Sequence, residues 1–63
     1  MYIKVINLDT GNIEIKDHRK LVKKLVEKNR VTREMRDHLF DNPYDLLKKL
    51  NLTRFNNSRY EEA

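Results

Sequence analysis

Between Lys20 and Arg36 the chain reads KLVKKLVEKNRVTREMR, with seven Lys or Arg against two Glu. Residues of these types hold phosphate. Lys supplies a mobile point charge, and Arg a planar fork of donors that grips phosphate or stacks on a base. Lys20, Lys23, Lys24, Lys28, Arg30, Arg33 and Arg36 are therefore the candidate contacts for a nucleic-acid backbone or an acidic protein surface. About five phosphate contacts would give a salt slope near −4 to −5 by counterion release. Plain solvation competes with this reading. A helix in a Lys-rich protein turns such a face to water, and Glu27 can neutralise Lys23 or Lys24 one turn back.

Catalytic chemistry finds little footing. There is no Cys and one Gly, so neither a thiolate nor a phosphate-cradling Gly loop is available, and no Ser neighbours a His and an acid. Asp37, His38, Asp41 and Asp45 lie close together, with His38 and Asp41 at i, i+3. Helix ends explain these acids better than a metal does: Pro43 stops a helix near Asp41, and Asp45 complements the dipole of the next one. The expectation is a non-enzymatic protein without catalytic residues, metal or cofactor. His18 reads as an exposed or half-buried neighbour of Asp17. In RFNNSRY an Arg–aromatic pair recurs, so Arg54, Phe55, Arg59 and Tyr60 are candidate tail contacts for unpaired bases or a protein groove. Tyr44, Phe55 and Tyr60 are the aromatic anchors that a protein partner would use.

The elements that must position these residues follow from periodicity. YIKVINL is rich in β-branched residues and NIEIK alternates, with DTGN between them, so residues 2–16 form a β-hairpin. Placing Leu8 opposite Ile13 sets Ile6 against Ile15 and Lys4 against Asp17. Sliding by one residue sets Ile6 against Glu14 and Lys4 against Lys16, which is worse on both counts. The opposite face holds Ile3 and Val5, so the tail or a second subunit would cover part of it. Asp17 can cap a helix over about 18–29, whose stripe Leu21, Val22, Leu25 and Val26 lies on the hairpin. Thr32 caps a second helix over about 33–40, with Met35, Leu39 and Phe40 inward. Asn42-Pro43 restarts a third over about 43–51, apolar through Tyr44, Leu46, Leu47, Leu50 and Leu52. A helix-turn-helix built from the last two is weakly supported, because FDNP lacks Gly and Asp45 would repel phosphate.

The expected fold class is α+β: a single domain over 1–53 with two or three short helices on a hairpin, then a loosely ordered polar tail over 54–63. Chain length permits one domain, and one this small buries only about 60% of its unfolded surface. Without disulfides, a homodimer through a strand edge stays open as the staple. The net charge of +4 is localised: −1 over residues 1–15, +5 over 16–37 and zero over 38–63. No signal peptide or membrane-length apolar run is evident, and the lack of Cys fits a cytoplasmic protein. The leading functional expectation is a small nucleic-acid-binding or regulatory protein. The alternative is a protein-binding inhibitor or adaptor, of phage or mobile-element type, docking its basic face on an acidic partner.

Overall fold

The computed structural model describes residues 1–63. The fold is α+β, in the order β1 (Tyr2–Asn7), β2 (Ile13–Asp17), α1 (His18–Glu27), α2 (Arg33–Asp41), α3 (Pro43–Thr53), a 3₁₀ turn (Phe55–Asn57) and β3 (Ser58–Glu62). The sheet is antiparallel with order β2-β1-β3. Three helices lie on one face of it, and the other face is open.

The hairpin keeps the expected facing but not the expected register. Ile6 pairs with Ile13 and Lys4 with Ile15, two residues from the anticipated alignment. Such a shift preserves the facing of every side chain. Asn7 causes it. Its Oδ1 accepts the N–H groups of Asp9 at 2.8 Å and Thr10 at 3.0 Å. Its backbone N–H bonds to Asn12 O at 2.9 Å. Leu8 is thereby drawn into the turn, which Gly11 closes at φ 76°.

The tail expected to be loose is instead the third strand. Val5 pairs with Tyr60 and Ile6 with Arg59 across β1 and β3. Tyr60 and Phe55 are only 3% and 6% exposed and belong to the core, with Ile3, Leu21, Val22, Leu25, Leu39, Leu46 and Leu50. The Tyr60 hydroxyl donates to Phe55 O at 2.7 Å, which satisfies both groups away from water. Ile3, Val5, Ser58 and Tyr60 share one face in this register, and the helices pack there. Ile6, Ile13 and Ile15 face the open side.

Local capping explains the helices. Asp17 Oδ1 accepts Arg19 N–H at 2.9 Å at the start of α1. At its end Asn29 takes φ 56°, while Asn29 N bonds Val26 O and Arg30 N bonds Leu25 O, a Schellman motif. Thr32 Oγ1 caps α2 through Met35 N. Met35, Tyr44 and Leu52 were expected inward but are exposed; the core stripes are narrower, with Leu39 on α2 and Leu46 and Leu50 on α3. His18 is buried, and its Nε2 donates to Phe40 O at 2.9 Å, tying the start of α1 to the end of α2.

Asn51 fastens α3 to β3. Its Nδ2 donates to Tyr60 O and its Oδ1 accepts Tyr60 N–H, both at 2.9 Å. Asn51→Ala should therefore cost about 1–2 kcal/mol, read as a lowered urea midpoint, with Asn51→Asp intermediate because it keeps only the acceptor. Acid sensitivity has a named source too. The Arg19 N–H, and secondarily the His18 charge, hold the Asp17 carboxyl below its ordinary value of 3.8. A depressed folded value stabilises above pH 3.8 and is lost as pH falls through that lower value. Asp17→Asn should flatten the loss of helical circular dichroism below pH 3.8.

Candidate functional site

The buried stripe His18, Leu21, Val22 and Leu25 aims α1 at the core, so Lys20 and Lys23 point outward and Lys24 sits half-buried on one flank. Lys28 and Arg30 follow at the end of the helix. Of the seven basic residues marked in the sequence, only Arg36 is ion-paired, to Asp37 at 3.2 Å.

The fold sorts six of these cations into three groups and leaves Lys23 apart, exposed on α1. Lys28 and Arg30 meet Lys49 and Arg54 around a recess of about 320 Å³, floored by Leu25 and Phe55, with no carboxylate in its lining. Lys20 and Lys24 border a shallow groove beside β2 where Glu14, Asp17 and Glu27 are interleaved, so its sign is mixed. Arg33 and Arg36 lie on α2 and line neither.

Two helix ends build the recess. Lys28 caps α1, and Arg30 is the residue after its left-handed Asn29. Arg54 caps α3 in the left-handed region, at φ 49° and ψ 46°, with Lys49 about one turn earlier. Cations at helix C-termini complement the macrodipole, which accounts for part of this cluster. Each helix end carries about −0.5 charge, so two ends balance roughly one cation. Four cations converge, leaving about three unbalanced. Two Arg forks and two Lys ammonium groups around an apolar floor suit tetrahedral oxyanions such as neighbouring phosphates of one polymer.

The proposed tail contacts disperse. Arg54 enters the recess, Phe55 lies beneath it, and Tyr60 is interior. Arg59 sits on the open sheet face, with its Nε 3.1 Å from Glu61. Phe55 and Tyr60 are therefore not available as surface anchors. Tyr44 stays exposed, but its hydroxyl donates to Glu62 at 3.1 Å, and that carboxylate pushes the phenol above its ordinary value. Near the α2–α3 junction the acidic group bonds locally: His38 Nε2 meets Asp45 Oδ2 at 2.9 Å, and Asn42 Nδ2 donates to His38 O at 2.8 Å. No three His, Asp or Glu side chains converge as a metal site. No helix is long and apolar enough to cross a membrane.

No family model, curated protein or solved structure matches this chain.

Sequence reading did not reach Lys49 as a site residue, nor the pairing of Arg54 with Lys28. Nothing local signals that the two helix ends meet. The left-handed Arg54 is a measurable feature of the site, because a residue with a Cβ is disfavoured there relative to Gly. Arg54→Gly should leave the melting temperature unchanged or raise stability by up to about 1 kcal/mol. A melting temperature several degrees lower would instead make the Arg54 side chain a structural support.

Proposed function

We propose that this protein is a small, non-enzymatic nucleic-acid-binding protein that grips the phosphate backbone. The observation that carries the reading is the recess where Lys28, Arg30, Lys49 and Arg54 converge without a carboxylate. Lys24 and Lys20 lead toward it along the flank of α1, and Lys23 adds charge outside. Backbone binding of this kind is sequence-tolerant and dominated by counterion release. A cytoplasmic setting, within reach of nucleic acid, belongs to the same proposal.

The alternative, an inhibitor or adaptor docking on an acidic protein, would use the same cations. It needs desolvated aromatic anchors beside them. The burial of Phe55 and Tyr60 and the engagement of Tyr44 by Glu62 favour the nucleic-acid reading.

Fluorescence anisotropy of labelled duplex DNA, single-stranded DNA and RNA, at about 50 and 200 mM salt, tests the proposal. Four phosphate contacts give a duplex slope of about −3 to −4, hence roughly a hundredfold weaker binding at the higher salt. Lys49→Ala and Arg54→Gly should each weaken binding to all sequences and reduce the slope by about one. The double change Arg33→Ala/Arg36→Ala should leave affinity within about twofold, since neither residue contributes one of those contacts. Absence of binding at the lower salt would sink the reading and turn attention to an acidic protein.

A further inference from the structure

The open sheet face has a character unlike the helical side. Tyr2 is 64% exposed there, and Ile13 and Ile15 are each 57% exposed. Ile6 is half-buried beside them. The register arranges the face in rows across the strands. One row reads Ile15, Lys4, Glu61, and the next reads Ile13, Ile6, Arg59. Asp17 lies opposite Tyr2 at the far end. Lys4 and Arg59 balance Asp17 and Glu61, so the face is neutral while the excess positive charge of the molecule lies elsewhere.

We propose that this face binds the same face of a second copy. A twofold axis running across the strands, between those two rows, makes the surface self-complementary. It sets Ile15 over Ile13 of the second copy and Ile13 over its Ile15. It sets Glu61 over the other copy's Arg59, and Arg59 over its Glu61. Lys4 lies over Ile6 of the second copy, beside Glu61 on the neighbouring strand of its own chain. The same rotation carries Tyr2 toward the turn of the other hairpin, where Leu8 is 53% exposed. Aligned sheets pack face to face at about 30°, which preserves these pairings near the axis. A face without net charge offers a phosphate polymer little, and a strongly charged partner would leave Ile6, Ile13 and Ile15 uncovered by apolar groups.

The area sets the strength. Three strands five residues long span roughly 14 by 17 Å. That footprint is small beside the standard interface of about 800 Å² per partner, so the association is a weak, transient one. In such a dimer the helical layers face away from each other. Resting on the phosphate reading, the two basic recesses then lie on opposite outer surfaces, and the dimer bridges two nucleic-acid segments.

Sedimentation velocity of the full chain, over about 1–200 µM and without nucleic acid, decides the dimer independently of the phosphate reading. The expected result is a concentration-dependent monomer–dimer equilibrium. Ile15→Lys should abolish the dimer, and Arg59→Glu should weaken it at least about tenfold by opposing two carboxylates. The double change Arg59→Glu/Glu61→Arg should restore it to within about threefold, because the pair is exchanged and not removed. Circular dichroism confirms that each variant is folded. A wild-type monomer at every concentration overturns the proposal. So does a dimer insensitive to Arg59→Glu and Ile15→Lys, or a double variant as weak as the single one.

Discussion

The pairing of β1 with β3 holds this fold together. β1 already has β2 on one edge, but a two-stranded hairpin is marginal in water, and a third strand is what gives the sheet independent stability. β3 supplies it from the end of the chain, and with it comes Tyr60. That ring lies on the same face as Ile3 and Val5. The face that receives the ring becomes the one that the helices cover. Asn51 completes the attachment by bonding both backbone groups of Tyr60 from α3, so a side-chain amide stands at one position where a further strand would stand.

The candidate site is a consequence of the same return of the chain. To run from the end of α3 into β3, the backbone reverses through Arg54, Asn56 and Asn57, all in the left-handed region. Asn tolerates that conformation well, and Arg less so. The reversal carries Arg54, Phe55 and Asn56 against the end of α1, and the cations of both helix ends share one recess. Helix dipoles favour single cations at such places but do not ask for four. That excess goes beyond ordinary capping, and the phosphate proposal rests on it.

Charge divides the molecule into two unlike faces. The helical side and its ends carry the unbalanced cations. The open side of the sheet carries two cations, two acids and the exposed isoleucines. A surface that is positive suits anions, and one that is neutral and aliphatic suits its own kind. One layer of helices can cover only one side of a sheet, so the other side of this one is open.

Sequence alone determined the local elements. Alternation in YIKVINL and NIEIK made a hairpin. Asp17 and Thr32 capped the first two helices, and Asn42-Pro43 separated the second from the third, because those signals act within a few residues. It also located the basic segment and marked three of the four recess cations, Lys28 and Arg30 within that segment and Arg54 in the tail. Tertiary structure decided the rest. RFNNSRY looks like a polar tail because its apolar residues are only Phe55 and Tyr60. Its strand character depends on an edge of β1 that lies more than fifty residues away in the chain. The two-residue change of register came from side-chain bonds of Asn7, and no alternation pattern distinguishes registers that differ by two. The meeting of Lys28 with Lys49 and Arg54 likewise depends on α1 packing against α3 through the shared core of Leu25, Leu46 and Leu50, which no local signal encodes.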